Sequence, residues 1–234
     1  MMDIPIDLPV PPIIPGDWKR ISGVDRFKLE QRYIDSLRLS FMRQFGPEEY
    51  ARQGGIRAMP LACYPRHLLC EIGLMIRGQP LAGAFLFGAE GVIPIDGTSA
   101  PLHDLNQRIN LDIASAQAAL AYTVFFGSAV HGAEGRFHVL TSADDLAPYN
   151  HGDAAPFRSL VKPPLARAQG EHWLIEASVR YGRTLFNTRF QLQRSGLIEM
   201  IDDELLTGET ACGPDRFEWL ARGAPVCPPA EGEG

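Results

Sequence analysis

Between residues 173 and 200 the chain alternates apolar and polar side chains in three short runs. Trp173, Ile175, Ala177, Val179 and Tyr181 make up the first, with Leu174, Glu176, Ser178 and Arg180 between them. A period of two marks a strand with one face on a core. Gly182-Arg183 follows, a Gly-X pair suited to a two-residue type II′ hairpin turn. That turn sets Tyr181 opposite Thr184, Val179 opposite Phe186, Ile175 opposite Phe190 and Trp173 opposite Leu192, all on one face. The other face then pairs Glu176 with Arg189 and Ser178 with Asn187. Arg194-Ser195-Gly196 supplies a second turn, a three-residue loop with glycine available for its left-handed position. It pairs Leu192 with Ile198 and Phe190 with Met200 on the apolar face, and Gln191 with Glu199 on the other. A slip of one residue would scramble both faces. Two independent turns agree on one face, so residues 172–202 are predicted to form a three-stranded antiparallel meander.

The remaining pattern predicts an α+β domain. Ser22-Gly23-Val24-Asp25 resembles a capping box, and Phe27, Ile34, Leu37, Phe41 and Phe45 recur at helical spacing, so a helix is expected over 25–45. Pro47 suits the first turn of a short helix through residue 52. Residues 68–76 and 81–87 read as a strand pair, and 92–95 as a short extended run before the Asp96-Gly97 turn. A second long helix is expected from about 105 or 110 to 126, with Leu105, Ile109, Ile113, Ala116, Leu120 and Val124 as its buried stripe and Gly127 as its stop. Phe137 and Val139 alternate with Arg136, His138 and Leu140, which makes 136–141 a strand. Residues 142–170 carry Pro148, Pro156, Pro163 and Pro164 without a period, and read as a lid, a partner-binding loop or a partly disordered insertion.

Two arms flank the domain, which spans 19–206. Residues 1–18 hold Pro5, Pro9, Pro11, Pro12 and Pro15, which exclude helix. Ile4, Ile6, Leu8 and Val10 lie among them, too apolar for a free linker. This arm is expected to pack on its own domain or on a partner. Residues 207–234 form a Gly/Pro-rich tail with one short helical segment at 215–221.

The element order resembles the nuclear transport factor 2-like, or cystatin-type, cone fold. The matching pieces are 25–45, 110–126, 136–141 and 172–202. The resemblance implies a curved antiparallel sheet wrapped on a long helix. It also implies membership of a group that contains lyases, isomerases and hydrolases alongside non-catalytic binders. Enzymes of that group place acids and bases on the concave face. Here that face reads Trp173, Ile175, Val179, Phe186, Phe190, Leu192, Ile198 and Met200. His138 and Asp202 at the open end are the catalytic candidates of the enzymatic alternative.

Bulk properties narrow the classes. The chain has 234 residues, is 45% hydrophobic and 21% charged, and carries a formal net charge of −6. An acidic balance argues against a nucleic-acid binder and against adsorption to anionic membrane. The apolar stretches 72–87 and 113–133 are interrupted or diluted, so no membrane helix is expected. No basic leader precedes the first apolar run, and a cytoplasmic chain is expected. Four cysteines are too few for a disulfide scaffold. Cys63, His67 and Cys70 have metal-ligand types, but no second close pair completes a zinc site. His103-Asp104 and His151-Gly152-Asp153 lack a nucleophile in context. Asp202-Asp203-Glu204 lacks the spacing of a calcium loop. No cofactor is expected. Residues 158–194 hold seven cationic side chains against two carboxylates. Arg180, Arg183 and Arg189 would form a basic outer sheet face, which together with the arm points to a protein partner or self-association.

Overall fold

The computed structural model describes residue 8, residues 12–21, residues 28, 29 and 32, and residues 50–76, 79–149, 153–208 and 210. The fold is α+β. Five strands follow one another as an antiparallel meander in an N-terminal sheet: β1 (Lys19–Ile21), β2 (Tyr50–Leu61), β3 (Tyr64–Ile76), β4 (Gln79–Gly88) and β5 (Gly91–Ile95). Two helices come next, α1 (Ala100–Arg108) and α2 (Ala116–Ala129). A small ribbon of β6 (His131–Gly132) and β7 (Gly135–Arg136) leads to β8 (His138–Val139). The C-terminal sheet is completed by β9 (Leu165–Gln169), β10 (His172–Tyr181), β11 (Thr184–Gln193) and β12 (Ile198–Thr207). Its order is β12-β11-β10-β8, with β9 also paired to β10. Among the described residues no helix is long and apolar enough to cross a membrane.

One apolar cluster joins the two sheets through the helices. It takes Leu69 and Leu86 from the N-terminal sheet, Leu105 from α1, Tyr122 and Phe125 from α2, and Ile175, Val179 and Leu192 from the C-terminal sheet. α2 is buried on several sides at once, at Ala118, Ala119, Tyr122, Thr123, Val124 and Phe125. A helix that is apolar all round belongs in such a position. Its start is capped by Ser115, whose Oγ accepts from the Ala118 amide at 3.1 Å. β3 is covered on both faces. Leu69 turns to the shared core, while Cys70, Ile72 and Leu74 turn to a second cluster with Ile56, Phe85 and Leu29. A strand covered on both sides reads as a continuous apolar run instead of an alternating one.

The meander follows the expected register throughout β10 and β11, from Tyr181 opposite Thr184 to Trp173 opposite Leu192. Gly182 and Gly196 both have positive φ, +59° and +83°, as their turns require. The strand pair at 68–76 and 81–87 is present in the longer β3 and β4, and the extended run at 92–95 is β5.

Elsewhere the sequence pattern misleads. Tyr50 to Arg52 begin β2 and are not the end of a short helix. The expected helix from 105 or 110 to 126 is two helices parted by an extended stretch. There Ile109, Leu111 and Ile113 alternate with Asn110 and Asp112, and the Asp112 amide donates to the Cys63 carbonyl at 3.0 Å. A spacing of four residues fits both a helical stripe and every second step of a strand, so the stripe through Ile109 and Ile113 has two readings. Gly127 does not stop α2, which continues to Ala129. Its missing side chain lets the helix approach β8: a Cβ there would lie 2.5 Å from the Phe137 carbonyl oxygen. The strand at 136–141 is broken at Phe137, whose ring stacks on Tyr181 with centroids 4.3 Å apart. Residues 142–170 are not a structureless loop: they hold 3-10 turns at Ala143–Tyr149 and Ala155–Phe157, and then β9. Of the helix expected over 25–45, Lys28, Leu29 and Arg32 are helical; its other residues, and the segment 215–221, lie outside the described residues.

Candidate functional site

The outer face of the C-terminal meander is divided. Residues 140–149 and 153–161 fold over one half of it. Leu140, Leu146, Phe157 and Val161 pack there on Leu185 of β11, with Leu206 of β12 at the margin. Ser178 and Arg180 lie buried beneath. Arg180 places its guanidinium 4.2 Å from the centre of the Tyr149 ring. His138 pairs with Arg180 across β8 and β10, and its Nε2 shares a hydrogen bond with Tyr149 Oη at 2.9 Å. Arg136 donates to Tyr149 Oη at 3.2 Å and to the Ile13 carbonyl at 3.3 Å. The Ile13 amide donates to Glu71 Oε1 at 2.6 Å, and Arg57 completes the network with an ion pair to Glu71 Oε2. Burial pushes the Glu71 carboxyl upward; the Arg57 charge, the Ile13 amide and Arg136 oppose it. Buried charge is tolerated here because it is paired and hydrogen-bonded.

The other half of the face is open. A groove of about 500 Å³ has Glu176, Asn187, Arg189, Asp202 and Glu204 on its floor and Lys162, Pro163 and Leu165 along its wall. Its geometry is set by a bulge. Phe190 lies opposite Met200, but Arg189 lies opposite Asp202, so Ile201 is the extra residue. The bulge reverses the parity of the next residues of β12. Asp202 therefore leaves the apolar side, where strict alternation places it, and forms an ion pair with Arg189. That hydrogen bond, and then the Arg189 charge, hold the Asp202 carboxyl below the usual carboxylate range. A second register shift at Leu206 precedes the pairing of Thr207 with Leu185.

β12 is the edge of this sheet; among the described residues no strand pairs with its outer side. It exposes large apolar side chains: Met200 by 40%, Ile201 by 48% and Leu205 by 63%. Under its first half, an apolar groove of about 160 Å³ runs between α2 and the sheet, lined by Phe126, Phe137, Val139, Phe190, Ile198 and Met200.

The candidates read from sequence are scattered over the molecule. Arg180 is buried and is not part of an exposed basic face. Arg183 is half-buried and donates to the Thr210 carbonyl at 3.3 Å. Arg189 is exposed but paired, and acids outnumber cations around it. His138 lies under Tyr149 and Asp202 in the open groove, so the two do not converge. Leu8, like Ile13 and Ile14, is buried against its own domain; Ile4, Ile6 and Val10 lie outside the described residues. Cys63 joins the shared core and Cys70 the cluster on the opposite face of β3. Burial pushes both thiols up to about 12. His67 instead shares a 2.7 Å hydrogen bond with Glu90. Among the described residues no group of three or more His, Cys, Asp or Glu is placed to hold a metal. His103 packs its ring near Phe126, and His151 lies outside the described residues.

Strict alternation carried through residue 202 conceals the exposed edge and its acids. A signal is nevertheless present in the chain: the apolar doublets Met200-Ile201 and Leu205-Leu206 break the alternation, and each coincides with a register shift. The His67–Glu90 pair and the Glu71 network join residues far apart in the chain and leave no local signal. No known protein family, curated protein or solved structure matches the chain.

Proposed function

We propose that the chain is a non-catalytic protein-interaction or assembly module of a cytoplasmic complex or homo-oligomer, and that β12 is its docking edge. The observation that carries this is the exposure of Met200, Ile201 and Leu205 on a ten-residue edge strand. An edge strand offers unpaired main-chain groups to another chain, and the bulge and acids of β12 narrow which chain can pair there. The arm contributes less to this reading than its composition suggests, since Leu8, Ile13 and Ile14 are used within the domain. The C-terminal half also supports kinship with the nuclear transport factor 2-like cone, in that α2 packs against β8, β9 and β10. The N-terminal sheet would then be an addition to that plan.

The alternative, a small-molecule enzyme or binder at the open end of such a cone, draws on the apolar groove beside Phe190 and Met200. His138 and Asp202 do not line that groove. It favours an apolar ligand over acid–base chemistry. Native mass spectrometry of the purified full chain tests the docking reading. A dimer, higher oligomer or defined hetero-complex is expected, and an Ile201→Lys/Leu205→Lys variant with unchanged circular dichroism should release it. A wild-type mass of one chain, with no bound protein, contradicts the reading.

A further inference from the structure

The two faces of β12 differ in chemistry, and the difference specifies a partner. On the side of the shared core, Ile198 and Met200 continue the apolar groove of Phe126, Phe137 and Phe190 out to the edge. On the other side stand Glu199, Asp202 and Glu204, brought into one row by the bulge at Ile201. Glu199 and Glu204 face Gln191 and Asn187, and among the described residues neither has a cationic partner; Asp202 shares Arg189.

We propose that β12 takes an extended segment of a partner protein in which apolar residues alternate with lysine or arginine, added to the sheet as a further strand. This rests on the reading of β12 as a docking edge and adds the chemistry of what docks.

A strand added at an edge forms main-chain hydrogen bonds and presents alternate side chains to opposite faces. Its residues on one face fall beside Ile198 and Met200 and extend an apolar surface. Its residues on the other face stand about 4.5–5.5 Å across from Glu199, Asp202 and Glu204, where opposite charge stabilises and like charge destabilises. A chain with a net charge of −6 also draws a basic segment toward it.

The same acids disfavour a second copy paired about the middle of β12. Antiparallel self-pairing about Asp203 sets Asp202 of one copy against Glu204 of the other and Asp203 against its own copy, carboxylate against carboxylate. Self-pairing is thus opposed at the point where a basic strand is favoured.

The test uses the full chain and a labelled synthetic peptide of alternating valine and lysine, followed by fluorescence anisotropy and by amide exchange. Saturable binding, weakened by salt, with new protection of β12 amides is expected. A valine/glutamate peptide should not bind, and methylating alternate amide nitrogens of the lysine peptide along its pairing edge should abolish binding. Ile201→Lys/Leu205→Lys should weaken the lysine peptide by about tenfold, the equivalent of roughly 1.4 kcal/mol. Glu199→Lys/Glu204→Lys should reverse the preference in favour of the glutamate peptide. Equal binding of both peptides overturns the proposal. So does failure of the lysine peptide while Ile201→Lys/Leu205→Lys still alters the native mass, though β12 then remains a docking edge. If no peptide binds and no β12 variant changes the native mass, both readings fall. If deleting residues 211–234 is what exposes the β12 amides to exchange, the occupant is the chain's own tail and the proposal is overturned.

Discussion

Arg180 and Arg189 stand on the same face of the same sheet, on adjacent strands, and their surroundings differ completely. Arg180 is 4% exposed, stacked on Tyr149 and covered by residues 140–149 and 153–161. The Arg189 side chain is 52% exposed and paired with Asp202 in an open groove. Both belong to one alternating pattern and both point outward from the shared core. What separates them is whether a non-periodic segment lies over that part of the face. An outward position in a strand is therefore not the same as a solvent position. The covered half of the face contributes packing to the fold, and the open half stays exposed to solvent.

The comparison can be broken at its covered side with the largest effect. Phe157→Ala empties a packed position over Leu185 and should cost about 3–5 kcal/mol in urea unfolding. Amide exchange at β8 and at the adjoining part of β10 should rise with it. Arg180→Ala removes a desolvated cation from the Tyr149 face and should cost about 2 kcal/mol. Arg189→Ala, its counterpart in the open half, should leave the unfolding midpoint nearly unchanged, because exposed ion pairs contribute little. A loss at Arg189 equal to that at Arg180 would erase the distinction between the halves. The smallest effect is in pH. Asp202 is depressed below its ordinary value of 3.8 by Arg189. The pair's contribution is thus present above that value and is lost as pH falls through the lower folded pKa. Carbon-detected titration should place the Asp202 midpoint below the ordinary value, and Arg189→Ala should return it there.

The legibility of the fold followed the same division. The pairings of β10 with β11, and of β11 with Ile198 to Met200, could be read because turn chemistry at Gly182 and Gly196 agreed with side-chain alternation. β2 could not be read as a strand, since Pro47 and a run holding Arg52, Gln53, Gly54 and Gly55 gave no period of two. The break between α1 and α2 was hidden because Ile109 and Ile113 satisfy helical and extended spacing alike. The candidate surface was legible in its residues but not in its sign. Arg180 was withdrawn from it by Tyr149, a contact without local signal, and Asp202 was added to it by one bulged isoleucine.

Ile13 ties the early chain to both later regions, since its amide is held by Glu71 and its carbonyl by Arg136, 58 and 123 residues further on. Translation at about 5–20 residues per second brings out Arg136 roughly 6–25 s after Ile13. Throughout that interval a nascent chain carries Ile13 and Ile14 without the guanidinium that later clasps them. Ile13 emerges before both of the groups that fasten it. The tempo of synthesis between residues 13 and 136 therefore sets how long an apolar segment waits beside the ribosome.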